Sequence, residues 1–132
     1  MPVDEPSLTG SDPRRRLGRW GENLAADHLT AKGYRILSRN WRTRYGEIDL
    51  VAEKQERIAF IEVKTRRGNQ FGLPEEAITP QKGRRLLKLG QAYISEHGLH
   101  DTSWQIDLVA IELDDEGSLI RCEHIPNAVM EW

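Results

Sequence analysis

Cys122 is the only cysteine in this sequence of 132 residues. A lone thiol can form neither an internal disulfide nor a multi-cysteine zinc site. Long apolar runs are missing as well, and none approaches the roughly 20 residues needed to span a bilayer. The opening MPVDEPSLTGSDP lacks the basic-then-apolar profile of a secretory signal. These absences lead us to expect a cytoplasmic protein with no membrane partner. There is no internal repeat or low-complexity segment. The four histidines, His28, His97, His100 and His124, show no ligand spacing.

What is present is ordinary for a globular protein: 38% apolar and 30% charged residues, enough for one core. We expect residues 1–12 to form a loose tail and 13–132 a single domain. The net charge of −2 hides an asymmetry. From Arg14 to Arg44 basic residues, among them Arg16, Arg19, Arg42 and Arg44, face only Glu22 and Asp27. From Asp101 onward the balance reverses, with Arg121 as the one basic residue. A basic stretch of this kind suits a polyanion, although taken by itself it is more simply a solvated basic surface.

Read in order, Ser11 or Asp12 caps a helix that Pro13 opens and Gly33 closes, with Leu17, Gly21, Leu24, Ala25, His28 and Leu29 as its buried stripe. Glu22 lies at the margin of that stripe. A strand follows from Tyr34 to about Arg42, and Arg44, Tyr45 and Gly46 turn the chain. The segment GEIDLVAEKQERIAFIEVK, Gly46 to Lys64, reads as a hairpin with a charged turn. Ile48, Leu50 and Ala52 alternate there with Glu47, Asp49, Val51 and Glu53. In the second strand Phe60, Glu62 and Lys64 share a face. Antiparallel pairing brings Asp49 within cross-strand reach of Glu62, and two carboxylates beside a lysine make a candidate divalent-metal site.

The connection RRGNQFGLPEEAITP is long enough to carry function. Arg66 and Arg67 stand at its start. Phe71 either grips a substrate strand by stacking or, with Leu73, pins the loop to the core. Thr79 caps a second helix whose first half is basic, including Lys82 and Arg85. Basic residues at a helix start oppose the dipole, and a bound phosphate is one reason for them. Trp104–Leu113 and about Leu119–His124 complete the strands. Helix, three strands, helix and two strands, with a helical crossover, predict a mixed sheet of about five strands flanked by helices.

The runs GEIDLVA, FIEVKTR, FGLPEEAITPQK and EHIPNA together resemble the YraN-like family of uncharacterised bacterial proteins, over about Gly18 to Ala128. That family is grouped with the restriction-endonuclease-like PD-(D/E)XK nucleases and is similar to archaeal Holliday-junction resolvases. The resemblance implies a restriction-endonuclease-like α/β core in αβββαβ order. It maps the motif's Asp onto Asp49, its Asp or Glu onto Glu62, its Lys onto Lys64 and the helix-borne Glu of the resolvase-like branch onto Glu22. Ile48 stands where the motif has Pro.

The activity so implied is hydrolysis of phosphodiester bonds in branched or single-stranded DNA. Mg2+ or Mn2+ would take oxygen ligands from Asp49, Glu62 and the Val63 carbonyl. Lys64 would orient water or offset charge on phosphorus, and Glu22 would bind a metal-linked water. Arg16, Arg19, Arg42, Arg44, Arg66, Arg67, Lys82 and Arg85 are candidate DNA contacts. A homodimer would match a two-fold junction. The alternative is a non-catalytic nucleic-acid-binding or adaptor protein on the same scaffold.

Overall fold

The computed structural model describes residues 12–68 and 72–129. Asp12 caps the first helix, α1 (Pro13–Ala31), by accepting from the Arg14 N–H at 2.9 Å. Gly33, at φ +96°, turns the chain out of it. Five strands follow in the expected places: β1 (Arg35–Thr43), β2 (Gly46–Lys54), β3 (Arg57–Arg67), β4 (Trp104–Leu113) and β5 (Leu119–Ile125). The second helix, α2 (Pro80–Glu96), links β3 to β4, and Thr79 caps it by accepting from the Lys82 N–H at 3.1 Å. The sheet order is β1-β2-β3-β4-β5. All neighbours are antiparallel except β3 and β4, which the α2 crossover makes parallel from Ile58–Trp104 to Arg67–Leu113.

One helix covers each face. Ala25, Ala26 and Leu29 of α1 pack on Leu50, Ala59, Ile61, Val109 and Ile111. Leu86, Leu89, Tyr93 and Ile94 of α2 pack on Ile48, Val51, Phe60 and Ile106. Burying these aliphatic and aromatic side chains, at roughly 25 cal/mol per Å2 of apolar area, is the main source of stability. Phe60 meets Tyr93 and Trp104 edge-on, with ring centroids 5.4 Å apart in each case. Gly90 permits that approach, since a Cβ there would lie 2.7 Å from Trp104 and 3.0 Å from Phe60.

Several expectations are corrected. The α1 stripe is narrower than predicted, because Leu17, Leu24 and His28 are only half-buried while Ala26 is fully packed. Strict alternation fails in β2. Ile48 and Val51, three residues apart, both join the α2 core while Leu50 joins the α1 core. The strand changes phase near Asp49, where it leaves β3, and both its faces are covered. The β2–β3 turn is a two-residue loop, Gln55 and Glu56, with φ of 51° and 63° and Lys54 paired to Arg57. That conformation normally selects Asn-Gly. Phe71 falls outside the described residues. Leu73 is 49% exposed, and Pro74, in a short 3-10 turn (Pro74–Ala77), is the residue buried there.

The EHIPNA ending has a structural role. Asp107 is wholly buried, and its carboxylate lies 2.7 Å from His124 Nε2. It also accepts from Gln105 Nε2 at 2.8 Å and from the Asn127 N–H at 3.0 Å. A fully satisfied carboxylate thereby ties the end of the chain to β4. Arg121 is a hub bridging Glu75, Glu112 and Glu123 at 2.6, 2.6 and 2.9 Å.

Candidate active site

The β2–β3 ladder closes at the pair Leu50–Ile61. Beyond it β2 stays with β1 down to Gly46, while β3 stays with β4 as far as Arg67, so the sheet forks. The fork holds a cleft of about 740 Å3. From one face α1 contributes Arg14, Leu17, Gly18 and Glu22, and from the other α2 contributes Lys82, Arg85, Leu86 and Leu89. Both sets have the spacing of a single helical face.

Asp49 takes over where the ladder stops. Its Oδ2 accepts from the Val63 N–H at 2.8 Å, the bond a continuing strand would have supplied. In an extended strand a residue's N–H and C=O project to the same edge, so the Val63 carbonyl also faces the fork. Asp49 and Glu62 are both buried, and their carboxyl groups are close enough to interact. Burial first, then the neighbouring Glu62 carboxyl, push the Asp49 carboxyl up to about 8, against the opposing Val63 N–H. The pair therefore holds a proton at neutral pH. Lys82 Nζ, 2.9 Å from Glu62 Oε2, offsets the remaining charge.

Glu22 reaches the cleft because α1 lies close on β3. A Cβ on Gly21 would collide with Thr65 Oγ1 and touch Ile111 at 3.6 Å. Half-buried, Glu22 has its carboxyl pKa raised by burial and then lowered in part by a hydrogen bond from Asn40, with Glu47 and Glu62 raising it further. Lys64 is lowered, first by burial and also by Lys82 and Arg66, while Glu62 and Asp49 pull the other way. A lysine so placed is a weaker acid-base mismatch for neutral pH than a free one.

Glu22, Asp49, Glu62, Val63 and Lys64 therefore line one cleft, together with Arg66, Arg67, Lys82 and Arg85. Arg16, Arg19, Arg42 and Arg44 do not line it. Arg42 pairs with Glu47 at 2.8 Å, and Arg44 donates to the Tyr45 hydroxyl at 2.7 Å. Arg67 is tied to the Asp115 carbonyl at 2.9 Å. Lys82 meets Glu62 and is not standing clear to meet a phosphate. Arg14, Glu47 and Asn40 belong to the neighbourhood without having been singled out. Arg14, Gly18 and Glu22 recur every four residues, a signal that could have found the first. Asn40 reaches Glu22 only through the fold.

The donor set suits a hard divalent cation: two buried carboxyl groups close enough to share a proton, beside a carbonyl. Like charges so confined require a proton or a cation between them. Among the described residues, however, no three His, Cys, Asp or Glu side chains converge as a ready-made metal cluster.

The sequence pattern of the family described as "Uncharacterised protein family UPF0102" matches residues 21–111. The chain belongs to this family, the YraN-like one. Among its relatives, a UPF0102 protein of Syntrophomonas wolfei is 50% identical over 114 residues, covering 86% of this chain and 97% of that protein. Another, of Roseiflexus castenholzii, is 45% identical over 119 residues, covering 89% and 96%. Among solved structures the chain is similar to Pyrococcus furiosus SfsA in complex with Ca2+, at 14% identity and a TM-score of 0.41, over 89% of this chain and 65% of that one. No described helix is long and apolar enough to cross a membrane.

Proposed function

We propose that this YraN-like protein is a metal-dependent, structure-selective endonuclease that hydrolyses phosphodiester bonds in branched or single-stranded DNA in the cytoplasm, with Mg2+ or Mn2+ as cofactor. The observation that carries this reading is the buried Asp49–Glu62 pair beside Lys64 in the fork of the sheet. Asp49, Glu62 and the Val63 carbonyl would hold the ion. When bound, the ion would polarise the scissile phosphate and lower the pKa of a water. Lys64, with its lowered pKa, would orient that water and offset charge developing on phosphorus. Glu22 would hydrogen-bond a metal-linked water across the cleft. Arg14, Arg66 and Arg85 would position the backbone by phosphate contacts. A junction presents two symmetric strands, which a homodimer would match.

The test is cleavage of flapped, branched and single-stranded DNA by purified protein with Mg2+ or Mn2+. Asp49→Ala, Glu62→Ala and Lys64→Ala should each abolish cutting while circular dichroism stays native. Cutting that survives all three would refute the assignment.

A second reading is supported by the Lys82–Glu62 contact, which puts an ammonium where a cation would bind. On that reading the protein is a non-catalytic nucleic-acid-binding or adaptor protein on a nuclease scaffold. It predicts salt-sensitive DNA binding without metal dependence or cutting.

A further inference from the structure

The tip of the β1–β2 hairpin, Arg44 and Tyr45, lies outside the cleft and has no part in the chemistry above. Tyr45 is 69% exposed, the largest exposure among the exposed large hydrophobic side chains of the described residues. Nothing in the core needs it there. The tip is nonetheless held by local contacts. Thr43 pairs directly with Gly46 across the turn, and Thr43 Oγ1 accepts from the Tyr45 N–H at 3.0 Å. The Arg44 guanidinium lies 4.9 Å from the Tyr45 ring centroid and donates to its hydroxyl at 2.7 Å. The ring is thus held on one side by a cation and is otherwise open to solvent.

Position gives the tip its meaning. Gly46 and Glu47, the next two residues, line the cleft, and Asp49 follows on the same strand. At about 3.3 Å per residue, Tyr45 stands roughly 13 Å from Asp49. The cleft beside it carries Arg14, Arg66 and Arg85, charges that complement a phosphate backbone.

We propose that Tyr45, braced by Arg44, is a stacking platform for an unpaired DNA base next to the cleft, and so selects strands whose bases are free over paired duplex. This rests on the nuclease reading above. A paired base has both faces occupied by its neighbours, whereas an unpaired one can stack on an exposed ring. Arg44 contributes a cation to the adjacent phosphate while its planar group backs the tyrosine. Tyr45 is a positioning residue, and it touches no group of the Asp49–Glu62 pair.

The test is fluorescence anisotropy with a labelled oligothymidine and a blunt duplex of equal length, in EDTA so that nothing is cut. Loss of one stacked base predicts that Tyr45→Ala weakens oligothymidine binding by roughly 5- to 150-fold and leaves duplex binding within about twofold. Tyr45→Phe and Tyr45→Trp should retain most of the affinity, a rescue that a merely structural role would not give. Equal loss on both DNAs, or no loss on oligothymidine, overturns the stacking role. So does wild-type protein that binds neither. A parallel Mn2+ titration of wild type and Tyr45→Ala separates the two claims: unchanged metal binding with no stacking effect sinks this inference alone, while absent metal binding strikes the nuclease reading.

Discussion

Replacing Asp49 by asparagine should stabilise the metal-free protein at alkaline pH. Burial and Glu62 raise the Asp49 carboxyl from 3.8 to about 8, while the unfolded chain ionises it near its ordinary value. Between those limits the folded state keeps a proton that the unfolded state has lost, so stability falls as pH rises through the window. Four units at about 1.4 kcal/mol each make the full loss on the order of 5 kcal/mol. Asparagine mimics the protonated acid. Its oxygen can still accept from the Val63 N–H and its amide can donate to Glu62. Urea denaturation in EDTA should therefore find Asp49→Asn close to wild type at pH 4.5 and more stable by several kcal/mol at pH 8.5. Equal stabilities at both pH values, or a wild type that gains stability as pH rises from 5 to 8, would refute the reasoning.

Metal binding should show the same proton from the other side. Mn2+ affinity measured by calorimetry should tighten by up to about tenfold per pH unit below 8 and level off above it, because the ion must displace that proton. Gly21→Ala should lower the unfolding free energy measured by urea denaturation by about 1–3 kcal/mol, since Thr65 and the helix must yield to the new methyl. It should also depress cleavage by moving Glu22. Glu56→Gly, relieving a left-handed residue in the β2–β3 turn, should raise stability by about 1 kcal/mol in the same assay. Asp107→Ala should cost about 3–5 kcal/mol by leaving His124, Gln105 and the Asn127 N–H without their acceptor.

The sequence by itself determined the elements. Caps at Asp12 and Thr79, proline openings and alternation in the last strands are local signals, and each element formed where those signals placed it. The face shared by Glu62 and Lys64 followed from strand geometry alone, as did the parallel β3–β4 pair from the intervening helix. Only the tertiary structure decided that β2 leaves β3 at Asp49, because strand pairing joins residues that no local signal in the chain connects. That divergence shifts the alternation of Ile48 and Val51, opens the cleft and turns the Asp49 carboxyl into a substitute for a lost ladder bond. Proximity between distant residues is likewise invisible to pattern: Lys82 on Glu62, Asn40 on Glu22 and Asp107 under His124 each bring together residues of two different elements. Periodicity reports which way a side chain points, and packing alone reports what it meets.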